Sequence, residues 1–140
     1  MNTTNHEYYV SLEVAKLLKE AGFDWEVNHS YPNCESLDNS CSGYMEDLSF
    51  YHNLNDGKYG GMSAPTLEIA QRWLRVVKGI HLYVRPILDE HKYIVTVVVD
   101  DLTWGQVNDN NGTSKRFNTY EEAQEAGIKK ALEIILEKGK

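Results

Sequence analysis

Four side chains able to ligate a transition metal, His29, Cys34, Cys41 and His52, sit in one Asn- and Ser-rich stretch of this 140-residue chain. Zinc sites favour pairs two to four residues apart, because that spacing sets two ligands on one turn. Here the gaps are four, six and ten residues, so a metal site would require the chain to converge in space. The two cysteines read first as reduced thiols, with a disulfide or metal role as the alternatives. Acid–base groups are plentiful: five histidines (His6, His29, His52, His81, His91) and 21 carboxylates. Nothing in the order of residues gathers them. There is no Gly-x-Ser-x-Gly elbow, phosphate-binding glycine loop or His-Glu-x-x-His helix. Asp100-Asp101 resembles an acidic metal-binding strand end, but acidic residues also simply terminate strands. No catalytic residue and no cofactor are assigned, and the residues argue against an enzyme more than for one.

Aromatic residues carry the stronger signal. Tyr8, Tyr9, Trp25, Tyr83, Tyr93 and Trp104 cannot all be buried with their polar atoms satisfied. They are candidates for a surface that binds a protein partner or a second copy; the alternative is that they wrap the core edge with their hydroxyls in water. Of nine tyrosines, Tyr31, Tyr44, Tyr51 and Tyr59 fall in the least regular region. Specificity is therefore expected in that middle segment and in the exposed aromatics.

Charge narrows the partners. A net charge of −7 repels polyanions, and no basic stripe exists to displace counterions, so nucleic-acid binding is disfavoured. The segment VSLEVAKLL (10–18) looks like the opening helix of a DNA-binding module. The residues after Gly22 lead toward a strand instead of a recognition helix. No apolar run approaches the roughly 20 residues of a membrane span. MNTTNHEYYVSLEV lacks the pattern of a secretory signal, so a cytoplasmic location is expected.

The elements that must position these groups are legible in part. Ser11 caps a helix to about Ala21, with Val14, Leu17, Leu18 and Ala21 inward and Gly22 as terminator. Phe23, Trp25 and Val27 alternate as a short strand. Residues 28–62 are irregular in composition, with a strand expected at 44–50 or 50–54. A second helix is expected from Ser63 or Ala64, with Pro65 in its first turn and Gly79 at its close. Leu67, Ala70, Trp73, Leu74 and Val77 form its inward stripe, widened by Ile69 and Val76. Ile80, Leu82 and Val84 then alternate with His81, Tyr83 and Arg85 until Pro86 limits pairing. Residues 93–99 are apolar on both faces and read as a central strand, and 102–107 as a further short one. Thr119 and Glu122 have capping-box spacing. In the helix they open, Ala123, Gly127 and Ala131 recur every four residues as a groove against the sheet.

Three blocks, VAKLLKEAGFD (14–24), SAPTLEIAQRWLR (63–75) and TYEEAQEAGI (119–128), resemble in sequence and order the short uncharacterised proteins of phages and prophage-like elements of gut bacteria. The resemblance covers roughly half the chain, mostly core and capping positions, and implies no activity or catalytic residue. Residues 93–135 more weakly resemble the strand-then-helix end of HicB-like antitoxins, from which the chain departs by two extra helices. The fold implied by the pattern is one α+β domain in two layers: three helices with a three- to five-stranded, largely antiparallel sheet. The leading functional expectation is a non-enzymatic accessory or protein-interaction module, self-associating or partner-binding. An antitoxin-type regulator and a small enzyme or metal-binding protein are the alternatives.

Overall fold

A computed structural model of the chain describes residues 8–32, 45–56, 61–100, 104–108 and 112–138. The element order is α1 (Leu12–Glu20), β1 (Val27–Tyr31), β2 (Glu46–His52), β3 (Met62–Ser63), α2 (Leu67–Trp73), a π-helical turn (Leu74–Lys78), β4 (His81–Ile87), β5 (Lys92–Val98), β6 (Trp104–Gln106) and α3 (Tyr120–Lys138). Among the described residues this is an α+β fold with three helices and antiparallel pairing. The strands divide between two sheets of three, ordered β2-β1-β3 and β4-β5-β6.

The Ser11 hydroxyl accepts from the Val14 N–H and starts α1. Gly22 ends it at φ 94°. The Phe23 N–H then returns to the Leu18 carbonyl and the Gly22 N–H to that of Lys19, the hydrogen-bond pair of a left-handed helix stop. That return ties Phe23 to the helix end, while its carbonyl accepts from Asn55 Nδ2. The strand expected through Phe23 and Trp25 consequently begins later, at Val27. The middle of the chain supplies β2, which straddles both expected strand positions.

The second helix also starts later than its sequence suggests. Ser63 belongs to β3, opposite Ser30, and its hydroxyl accepts from the buried Leu54 N–H. The Pro65 carbonyl is occupied by the Val10 N–H. With residues 62–66 held extended by these partners, Thr66 becomes the cap, accepting from the Ile69 N–H. Leu67, Ala70, Trp73 and Leu74 are buried as the periodicity requires. Val76 and Val77 are not: they are 61% and 49% exposed. The wider π-helical turn rotates them off the inward stripe before Gly79, at φ 71°, closes the element.

Along β4 the expected alternation holds, with Leu82 buried and His81, Tyr83 and Arg85 exposed. Strand β5 is the centre of its sheet. Thr119 caps α3 through the Glu122 N–H, but the Glu122 carboxylate reaches the Asn118 N–H, one residue before the reciprocal partner of a capping box. Ala123, Gly127 and Ala131 are buried against the sheet; a Cβ at Gly127 would lie 2.6 Å from Val95 Cγ2. The larger core cluster combines Leu18 of α1, Trp73 of α2, Ile128 and Leu132 of α3, Val27 of β1, and Leu82 and Val97 of β4 and β5. Among the described residues, no helix is long and apolar enough to cross a membrane.

Candidate functional site: a cleft between two sheet strands and the start of α2

The chain that precedes α1 runs beside the entry to α2. Val10 N–H donates to the Pro65 carbonyl at 3.0 Å, and Leu67 N–H donates to the Tyr8 carbonyl at 2.8 Å. Tyr9 and Thr66 bridge between these bonds. From beneath, the Tyr31 hydroxyl donates to the Val10 carbonyl at 2.7 Å. Burial, with the nearby Glu125 carboxylate adding to it, raises the Tyr31 hydroxyl above its ordinary pKa. The phenol therefore stays a donor, and the segment stays pinned.

This arrangement leaves a cleft of about 330 Å³ beside the pinned segment. Tyr9 forms one wall, with its ring 4.0 Å from that of His29 between centroids. Strand β1 contributes Val27 and the approach residue Glu26. Because Val27 pairs with His52, the neighbouring Tyr51 of β2 lies at the same rim, 67% exposed. The first turn of α2 supplies Glu68 and Ile69. Among the described residues the lining thus combines two phenol rings and aliphatic surface with two carboxylates, and contains no Lys or Arg. Such a surface suits a cation carried on an apolar stem. The stem lies on hydrocarbon while the charge meets carboxylate and ring face.

The other residues singled out from sequence are distributed differently. His29 Nδ1 is 2.9 Å from Asn28 Oδ1, and its Nε2 is 3.6 Å from an Asp47 oxygen. His52 Nε2 is 2.8 Å from Asp56 Oδ2. The two histidines are thus engaged with separate acids, and Cys34 and Cys41 lie outside the described residues. Among the described residues, no group of three or more His, Cys, Asp or Glu side chains is placed to hold a metal ion.

The five aromatic candidates with described side chains do not form one surface. Tyr9 lines the cleft and Tyr8 is half-exposed next to it in the chain. Trp25 packs partly against the core, 6.4 Å from the Phe23 ring. Tyr83 points outward from the second sheet. Tyr93 meets Tyr120 edge-on at 6.1 Å. Trp104 stands on β6 opposite Val98; as a surface candidate it lies outside the described side chains. Sequence reasoning marked Tyr51 only as a member of the Tyr-rich middle. It gave no signal for Glu26, Glu68 or Ile69, which reach the cleft through non-local strand pairing.

A second groove, of about 490 Å³, runs between α1 and α3 past Leu17, Glu20, Lys130, Glu133 and Ile134. Nearby, Lys129 Nζ is 2.8 Å from Glu13. That hydrogen bond is the main cause of the raised Lys129 pKa; burial opposes it, and the charges of Glu13, Glu133 and Glu125 add to it. Mixed charge and half-buried aliphatic surface here fit helix-to-helix packing better than a ligand. No family model, curated protein or solved structure matches this chain.

Proposed function

We propose that this protein is a non-enzymatic accessory module of a phage or mobile element. It acts in the cytoplasm by holding a protein partner, and the cleft beside α2 takes an extended segment bearing a Lys or Arg side chain. The cleft's composition carries this reading: Tyr9, Tyr51, Val27 and Ile69 surround Glu26 and Glu68, with no Lys or Arg among the described lining residues. The mobile-element association is supported by the order of the three sequence blocks, and protein binding by the aromatic lining. An acidic chain is also better matched to a basic protein segment than to a nucleic acid.

Each contact of this kind is modest, on the order of 0.5–1 kcal/mol for an exposed cation–ring pair. Useful affinity therefore comes from several contacts along one segment. Calorimetric titration with short peptides of the form aliphatic–Lys–aliphatic tests the reading against analogues carrying Glu or norleucine at the centre. The Lys peptides should bind, weaken with added salt, and lose roughly tenfold or more in affinity on Glu68→Lys or Tyr51→Ala. Equal binding of the Glu peptides, or affinity unchanged in both variants, would overturn it.

A further inference from the structure

The second sheet ends in a strand whose outer edge has an unusual hydrogen-bonding pattern. In the β4–β5 ladder Val84 faces Val95 and Pro86 faces Tyr93. The Val95 carbonyl accepts from Val107 on the far side, and Tyr93 exchanges both its backbone bonds with Phe117. Alternate residues of an antiparallel strand point their backbone groups to opposite sides. The backbone groups of Leu82, Val84 and Pro86 are therefore directed away from β5, onto the open edge. Proline lacks an N–H, so that edge presents the Leu82 and Val84 donors and three carbonyls. One carbonyl is already used: Gln71 Nε2 donates to the Leu82 oxygen at 3.4 Å, and Gln124 Nε2 fixes Gln71 by donating to its Oε1 at 2.8 Å.

We infer that β4 is a self-association edge, on which a second copy of this chain pairs its own β4 antiparallel about a two-fold axis through Val84. Each Val84 then exchanges N–H and C=O with the partner's Val84. Each Leu82 N–H donates to the partner's Pro86 carbonyl. The Leu82 carbonyl faces the N–H that the partner's Pro86 lacks, and Gln71 already satisfies it. A one-residue shift of the axis toward Arg85 leaves the Val84 carbonyl opposite proline with no donor. The opposite shift leaves the Pro86 carbonyl opposite Ile80, whose N–H is already donated to the Leu74 carbonyl. Only the Val84-centred register leaves no group orphaned, as buried strand edges demand.

Side chains agree with this register. Tyr83, 59% exposed, falls directly opposite the partner's Arg85, at the closely spaced position where ring and guanidinium can stack. Beyond the ends of β4, Leu88 on one side and Val76 and Val77 on the other are exposed apolar residues. Residues 69–88 contain Arg72, Arg75, Lys78 and Arg85 and no carboxylate, which makes this edge the least acidic part of the chain.

The inference is independent of the cleft, and its test is separate. Sedimentation equilibrium of the full chain should show a reversible monomer–dimer equilibrium at roughly micromolar to submillimolar concentration, as for a small interface. Tyr83→Lys sets like charges opposite Arg85 on the exposed face. It should raise the dissociation constant at least tenfold without changing the circular dichroism. Gln71→Ala should weaken the dimer similarly, and Gln71→Ala with Pro86→Ala should restore it, because the new N–H at position 86 supplies the donor that Gln71 withdrew. In a Cys34→Ser, Cys41→Ser background, a mixture of Tyr83→Cys and Arg85→Cys chains should form the mixed disulfide faster than either homodimer. A chain that stays monomeric throughout overturns the inference, as does a dimer insensitive to Tyr83→Lys or one with no preference for the mixed disulfide.

Discussion

Gly127→Ala sets two known effects against each other at one site. Gly inside a helix is less favourable than Ala by about 1 kcal/mol, so propensity alone has the substitution stabilise α3. The packing opposes this. A Cβ at 127 would sit 2.6 Å from Val95 Cγ2, with Leu82 Cδ2 at 3.5 Å and Val95 Cγ1 at 3.6 Å. Carbon atoms in ordinary contact stand about 3.5–4.0 Å apart, so roughly 1 Å must open. Val95 has little freedom to supply it: the residue is 1% exposed, β-branched and stiff at χ1, and lies on the central strand. Overpacking of this kind costs about 1–3 kcal/mol. The net effect is then a loss of up to about 2 kcal/mol. For a chain of this size that lowers the midpoint of thermal unfolding by roughly 3 °C per kcal/mol. Urea unfolding of a double-mutant cycle isolates the contact. In a Val95→Ala background, which removes Cγ2, Gly127→Ala should become stabilising, giving a coupling of about 1–3 kcal/mol. A gain of the full propensity difference in both backgrounds would refute the close approach of α3 to β5.

Other perturbations probe the caps and the pinned segment. Ser11→Ala and Thr66→Ala should each cost about 1 kcal/mol in urea unfolding, and the corresponding Gly variants only a few tenths, because both hydroxyls accept a helix N–H. Tyr31 gives an alkaline signature, since its ionisation is raised above the ordinary 10.0 chiefly by burial. The unfolded chain gives up this proton first. The tyrosine's contribution to stability is thus complete below about pH 10 and is lost as pH rises toward the folded value. Tyr31→Phe should remove that alkaline fall while costing about 1 kcal/mol at neutral pH through the lost bond to Val10. Tyrosinate absorbance against pH, read beside urea unfolding, checks both.

Local signals were legible where the chemistry is local. Ser11 and Gly22 frame α1, Gly79 closes the π-helical turn, and Thr119 opens α3, since caps act within one turn of chain. The alternation of residues 80–85 and the apolar run of β5 likewise follow from the residues themselves. The start of α2 was not legible, because Ser63 and Pro65 are claimed by β1, Leu54 and Val10, partners distant in sequence. Val76 and Val77 follow helical spacing, and only the wider turn turns them outward. The cleft was hidden for the same reason as β3. Tyr9, Tyr51 and Glu68 meet through an N-terminal segment and a bulged strand pair, neither of which leaves a periodic trace. Tyrosine enrichment marked the segment that holds Tyr51 without indicating what that ring would face.

Amide chemical-shift mapping during titration with an aliphatic–Lys–aliphatic peptide tests the proposed cleft most directly. The account predicts saturable shifts concentrated at Tyr9, Glu26, Val27, Tyr51, Glu68 and Ile69, absent with the Glu-centred peptide and abolished by Glu68→Lys. Shifts centred elsewhere, or identical for the two peptides, would contradict it.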